Sequence, residues 1–376
     1  MTTAPPATRT IVHVAQIEIS RESGMGRVAW HWQRAFAARG YDFVHIGPAA
    51  VGRPVHPALF PFAAYRRYAR LGLRPAAILV HEPAGLPFVL ARRPAIVFSH
   101  GLERRAWETV LAWSSRPELR VRRRSRLLFP WWRLAPADYA LAHARALLVL
   151  NADDLAYARR RYRRREEDVL RFRNGVEAWD GPRGPERPVA SGPATVLFVG
   201  SWLPRKGTAT LVAAARLLDA RGLRPSFVLA GTGLDAAQVL APWPAGLRPA
   251  VRVVPRFPAG EEAALYAGAD VLVLPSFYEG QPLALLQAMA AGCCCIASDV
   301  AGNRDLVDHG VTGLLHPAGD AERLADCLAE CLAQPLLRRR LGESARRAMA
   351  GRSWEAVTGE VADFVERIIA RGRAAP

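Results

Sequence analysis

Short apolar runs rich in Val, Ile and Leu alternate along the chain with longer segments whose apolar residues recur every three or four positions. The run TIVHVAQI (10–17) predicts a strand, and MGRVAWHWQRAFAARG (25–40) predicts a helix closed by Gly40. DFVHIG, AAILVHE, PAIVFSH and ALLVLNA predict further strands, separated by helix-like segments or loops. Residues 178–194, AWDGPRGPERPVASGPA, are rich in Pro and Gly and read as a linker. The alternation then restarts with strand TVLFVG (195–200) and helix TATLVAAARLLDARG. Strands SFVLAG (226–231) and VRVVP, helix GEEAALYAGA, strand DVLVLP (270–275), helix PLALLQAMAAG and strand CCCIAS follow. Strands spaced by 10–15-residue helical patterns imply βαβ units and parallel sheets. Two such series predict an α/β protein of two doubly wound domains, 1–180 and 195–354, joined by a linker at 181–194. A C-terminal helix at 355–373 is expected to pack back on the first domain. Ligands of open α/β sheets bind outside the carboxyl ends of the strands. Two facing sheets then predict a cleft between the domains. No internal repeat of 20–50 residues is visible.

The polar and glycine-rich stretches fall at predicted strand ends. They are EISRESGMGR (18–27), SHGLERR (99–105), GSWLPRKG (200–207), GTG (231–233) and SFYEGQPLALLQ (276–287). Five loops in register with the strands point to one ligand site. Lys206 is the single lysine among 51 Lys plus Arg. A chain that otherwise uses arginine keeps a compact ammonium there, at the start of a helix. Lysine binds phosphate as a point charge, where arginine brings a planar fork. A helix N-terminus adds partial positive charge and free N–H groups. Gly24 and Gly26 allow close approach of backbone to a phosphate. The alternative for each is plain: a solvated surface charge at Lys206, an ordinary turn at the glycines.

Composition adds bounds. With 376 residues and 51% hydrophobic content the chain can bury two cores. The net charge of +17 attracts polyanions or anionic lipid, but Arg, Ala, Gly and Pro are inflated together, so coding bias explains the charge equally well. Cys293, Cys294 and Cys295 read as small core residues, and Cys327 and Cys331 share a core-facing helix stripe. No Cys-x-x-Cys pair or zinc spacing occurs, and the cysteine pattern fits a reducing cytosol. No signal-peptide core or membrane span is expected from the N-terminus or from any apolar run. The expected location is therefore cytoplasmic, with peripheral attachment at the inner face of a membrane as the further option.

The stretch FYEGQPLALLQAMAAGCCCIASDVAGNRDLV (277–307) resembles the donor-binding signature of the retaining family-4 glycosyltransferases, the glycosyl transferases of group 1. VGSWLPRKG resembles their phosphate loop, SGMG their first glycine loop, SHGLERRAWE their His-Gly segment and FRNGVE (172–177) the Asn-Gly-Val before the domain crossover. The resemblance implies a GT-B fold of two Rossmann-like domains. It implies transfer of a sugar, with retention and without a metal or other cofactor, from a UDP-, GDP-, ADP- or TDP-sugar. The acceptor hydroxyl would belong to a lipid-linked sugar, a glycan or a small molecule. Lys206, Glu279 and His100 take the catalytic roles by this resemblance. Gly24, Gly26, Ser201, Arg205, Gly231, Gly233, Arg256, Phe257, Gly280, Gln281 and Gln287 surround the donor, and His100, Glu103 and Arg104 lie on the acceptor side. Fixed positive charge aimed at the leaving phosphate stabilises the transition state more than the ground state. No Asp-x-Asp triplet occurs, which agrees with cationic side chains holding the diphosphate. Pro282 suits the first position of the helix that follows Glu279.

Two positions depart from the family pattern. Gln287 stands where the family has a second Glu, so ribose would meet an amide with one acceptor and two donors. Ser201 replaces an arginine, and Arg205, Arg104 or Arg105 are the candidate substitutes. These departures keep open a catalytically weak nucleotide-sugar-binding protein. A nucleic-acid binder is favoured by charge alone and lacks a recognition motif. Residues 116–133, RPELRVRRRSRLLFPWWR, and the basic run at 158–165 fit either an anionic membrane surface or a solvated face with its apolar side in the core.

Overall fold

The computed structural model describes residues 9–52, 56–177 and 193–374. Residues 181–192 of the expected linker lie outside the described residues. The chain forms two compact units. The first takes in the described residues up to Glu108, Val121–Asn174 and the chain from Trp354 onward; the second takes in Thr109–Arg120 and Gly175–Ser353.

The first unit is built on strands β1 (Thr10–Val14), β2 (Asp42–Ile46), β3 (Ala77–His81), β4 (Ala95–Phe98), β5 (Ala146–Val149) and β6 (Val169–Arg171). Their order is β2-β1-β3-β4-β5-β6, and every pair is parallel. The second unit carries β7 (Thr195–Val199), β8 (Ser226–Ala230), β9 (Val251–Val254), β10 (Val271–Leu274), β11 (Cys294–Ser298) and β12 (Leu314–His316). Its order is β12-β11-β10-β7-β8-β9, again parallel. Strands β4, β5 and β10 are buried along their whole length, which is why their sequences read as continuous apolar runs.

Alternation along β7 places Val196 and Phe198 in one core layer and Leu197 and Val199 in the other. Cys294 and Cys295 divide between the same two layers. Strands β6 and β12 are absent from the sequence expectation. Each has three residues at a sheet edge, too few to show a period of two.

Helix Trp354–Ala374 belongs to the first unit. Trp354 stacks on His31 at 4.1 Å, and Arg39 pairs with Asp363 at 2.7 Å and Glu366 at 2.8 Å. Residues 109–120 cluster with the second unit, although sequence order places them in the first predicted domain.

Candidate active site

In the second unit β7 lies between β10 and β8, so the loops leaving these three strands are neighbours. Here the strand order reverses, the position where open α/β sheets bind ligands. Backbone bonds stitch the loops together: Gly200 N donates to Ala230 O at 2.9 Å, Trp202 N to Thr232 O at 2.9 Å, and Phe277 N to Arg205 O at 2.8 Å. After β7 the chain makes a 3-10 turn, Pro204–Lys206, and enters helix Thr208–Ala220 through Gly207. Gly207 has φ +72°, and a Cβ there would overlap the carbonyl oxygen of Pro275. Only glycine brings this helix start so close to the end of β10.

That approach joins the two groups the sequence singles out. Lys206 Nζ donates to Glu279 Oε1 at 2.6 Å. The side chains are 15% and 7% exposed. Ser276 Oγ donates to the same oxygen at 2.6 Å. The Glu279 carboxylate is thus held from two sides, and the ammonium is aimed by a nearly buried partner.

The support continues behind it. Ser298 Oγ donates to the Ser276 carbonyl, and Asn303 Nδ2 donates to Ser298 O at 3.0 Å. Gly302 N donates to Glu279 O at 3.2 Å, and a Cβ on Gly302 would overlap Gly280 O. Ser276, Ser298, Gly302 and Asn303 were not picked out from sequence. Their signal is weak, because small polar residues after strands are common everywhere.

Gly231 (φ +68°) and Gly233 (φ +72°) form the turn after β8, and their N–H groups bond Val254 O and Pro255 O. Phe257 lies against Gly231, with its Cε1 3.3 Å from where a Cβ would stand. Arg256, Ser201 and Arg205 are exposed. Gly280, Gln281 and Gln287 are buried, and Gln287 Nε2 has no hydrogen-bond partner among the described residues. A buried amide donor left in that state costs about 1–3 kcal/mol. Pro282 caps its helix, which runs Leu283–Ala290, rather than taking the first helical position.

The remaining predicted residues lie in the first unit. Gly24 opens helix Gly24–Ala38. At Gly26 a Cβ would overlap Ser23 Oγ, so its missing side chain serves the closure of its own loop. His100 lies two residues past the end of β4, and His81, missed by the sequence reading, is the last residue of β3, opposite Phe98. Their rings are 5.6 Å apart. Burial pushes both imidazoles down to about 3, helped at His81 by Arg133 and at His100 by His81, so both are neutral at physiological pH. The signal for His81 is visible afterwards: in AILVHE and AIVFSH a histidine stands just past each apolar run.

Buried carboxylates pin the His100 loop. Glu82 accepts from Ser99 Oγ at 2.7 Å and from Glu103 N at 3.1 Å. Burial, then the charge of Glu103, pushes the Glu82 carboxyl well above its usual range. Asp154 accepts from Leu102 N at 3.3 Å and pairs with Arg105 at 2.6 Å. Glu103 holds Arg133 through both oxygens, at 2.6 and 2.7 Å.

The structure redirects three expectations. Arg104 is bound to Asp138 at 2.7 Å and Arg105 to Asp154 at 2.6 Å, so both guanidinium groups are engaged within the first unit. Three of the six arginines at 158–165 are in ion pairs: Arg159 with Glu166, Arg161 with Asp138, and Arg165 with Asp168 and Glu167. The 116–133 stretch divides between the two units. Arg116 is engaged within the second unit, while Leu127 (71%), Leu128 (58%) and Trp131 (79%) of the first unit are exposed. These three side chains do not enter the core. No described helix is long and apolar enough to cross a membrane.

Residues 185–348 match the family described as Glycosyl transferases group 1. The chain is 33% identical to a D-inositol 3-phosphate glycosyltransferase of Thermobispora bispora, over 47% of this chain and 44% of that protein. It is 33% identical to a GDP-mannose-dependent alpha-mannosyltransferase of Mycobacterium tuberculosis, over 48% of this chain and 44% of that protein. The alignments thus span less than half the length of these curated relatives. Among solved structures, a sucrose-phosphate synthase of Thermosynechococcus elongatus superposes with a TM-score of 0.76 at 22% identity, over 96% of this chain and 99% of that one. The two parallel six-stranded sheets with flanking helices are the GT-B fold of glycosyltransferases.

Proposed function

We propose that the chain is a glycosyltransferase that moves a sugar from a nucleotide-sugar donor to an acceptor hydroxyl with retention of anomeric configuration. The Lys206–Glu279 pair at the ends of adjacent strands carries this reading, because it lies inside the segment matching Glycosyl transferases group 1. The Lys206 ammonium and the N–H groups at the start of helix Thr208–Ala220 face the donor diphosphate. As the bond between the anomeric carbon and the phosphate oxygen breaks, negative charge grows on the leaving diphosphate, where a fixed cation counts most. The acceptor oxygen bonds to the anomeric carbon on the same face, and its proton passes to the leaving phosphate. Glu279 accepts hydrogen bonds from sugar hydroxyls and stabilises positive charge at the anomeric centre. The unpartnered Gln287 amide donates to a ribose oxygen, and Phe257 flanks the base. His81, His100 and Glu103 serve the acceptor side, and no metal is required. The relatives' printed names favour GDP-mannose as donor and D-inositol 3-phosphate as acceptor for the first trials.

The same reading includes attachment to an anionic membrane surface. Arg122, Arg123, Arg124 and Arg126 are exposed beside Leu127, Leu128 and Trp131. Apolar tips among arginines match the boundary between headgroups and acyl chains.

The test is a thermal-shift screen of UDP-, GDP-, ADP- and TDP-sugars, followed by release of nucleoside diphosphate from whichever binds. A donor should stabilise the protein with the logarithm of its concentration, and Glu279→Ala should abolish release. No shift with any donor at millimolar concentration overturns the proposal. Binding without release by the wild type reduces it to a nucleotide-sugar-binding protein. For the membrane, co-sedimentation with phosphatidylglycerol vesicles should fall in high salt and on Trp131→Ala; binding unaffected by either refutes this attachment.

A further inference from the structure

The segment WSSRPEL (113–119) lies far from the donor signature in sequence, yet it packs inside the second unit against that signature. The Arg116 guanidinium lies against two aromatic rings, 5.2 Å from the centroid of Trp113 and 5.6 Å from that of Phe277. The rings themselves are 5.2 Å apart. Arg116 Nη2 donates to Gly319 O at 2.6 Å. Gly319 has φ +72°, and a Cβ there would stand 2.8 Å from Arg116 Nη2 and 2.9 Å from Phe277 Cε1. The closeness of this contact therefore depends on glycine.

Phe277 is the pivot. Its ring is 3% exposed, its N–H holds the carbonyl of Arg205, and two residues later comes Glu279. One residue thus ties the Lys206 turn to the Glu279 loop, and Arg116 clamps its ring. The turn Pro117–Leu119 that follows also abuts the Pro204–Lys206 turn.

Building on the proposed glycosyltransferase reading, we infer that Arg116 is a positioning residue, which sets the Lys206–Glu279 geometry through Phe277. It acts by cation–π contact with two rings and by one directed bond, which a lysine cannot reproduce, because an ammonium has no planar face to lie against them.

Two measurements on the full chain test this. The first is hydrogen exchange of the amides of 203–207 and 276–281, which needs no substrate. Arg116→Ala and Arg116→Lys should both speed exchange there, by roughly tenfold, while β10 and β11 keep wild-type protection. Unchanged exchange in these loops, or a loss of protection throughout the second unit, overturns the inference. The second is donor turnover. Arg116→Ala should lower kcat by roughly 10- to 100-fold while the donor KM moves much less. Arg116→Ala combined with Phe277→Leu should be little worse than either alone, because both break one coupling. Additive losses, or an effect confined to KM, count against it. A wild-type chain without turnover on any donor refutes the glycosyltransferase reading instead, and the exchange measurement still decides the role of Arg116.

Discussion

Replacing Lys206 by methionine removes the cation from a nearly buried pair while keeping most of the side-chain volume. The Nζ–Oε1 distance is 2.6 Å, and Glu279 is 7% exposed, so its carboxylate cannot recover full hydration. Breaking a buried pair by deleting one partner costs about 3–5 kcal/mol. Here Ser276 still bonds the carboxylate and Lys206 is 15% exposed, so the expected cost is smaller, about 2–3 kcal/mol. Glu279→Gln should cost less, about 1–2 kcal/mol, because the freed lysine can extend toward water. The double variant should be more stable than the sum of the two losses predicts, by about 1–2 kcal/mol. Equilibrium urea denaturation, with the transition of each unit fitted separately, measures these differences. Turnover should behave in the opposite way. All three variants should lose roughly 10²–10³-fold in kcat, the usual cost of removing one electrostatic contact to a transition state, with no recovery in the double. A Lys206→Met protein with wild-type stability and turnover within a few-fold of wild type would refute the pairing and its role together.

Two further outcomes follow from the same geometry. Gly207→Ala must accept both φ +72° and overlap with Pro275 O, and should cost about 2–4 kcal/mol, whereas Gly222→Ala, at φ +74° with open space, should cost about 1 kcal/mol; urea midpoints of the two variants separate crowding from backbone strain. Acid should weaken the first unit through its histidines: His81 and His100 sit near 3 when folded and near 6.5 when unfolded, so their stabilisation is full above pH 6.5 and is lost as pH falls toward 3, while the raised Glu82 acts in the opposite sense above about pH 4.5. The wild-type-minus-His100→Asn difference in unfolding free energy isolates one histidine and should rise between pH 4 and 6.5; a flat difference contradicts a neutral, half-buried His100.

The repeating pattern of apolar runs and helical stretches determined ten of the twelve strands and both sheets, because fully buried parallel strands write themselves as continuous Val, Ile and Leu. The polar and glycine-rich loops were legible for the same reason: they begin where those runs stop. A lone lysine and a Glu-Gly loop stood out without any knowledge of contacts, and the fold brings the two together. The tertiary structure decided which charged group meets which. It gave Lys206 to Glu279, Arg133 to Glu103 and Arg104 to Asp138, partners separated by 73, 30 and 34 positions. It also carried residues 109–120 to the second unit and laid Arg116 against Phe277, and it left Trp131 outside the core. Periodicity is a property of neighbours along the chain and survives in the sequence. The pairing of long charged side chains depends on where distant backbone segments come to rest, and fifty near-identical arginines carry no local mark of their partners.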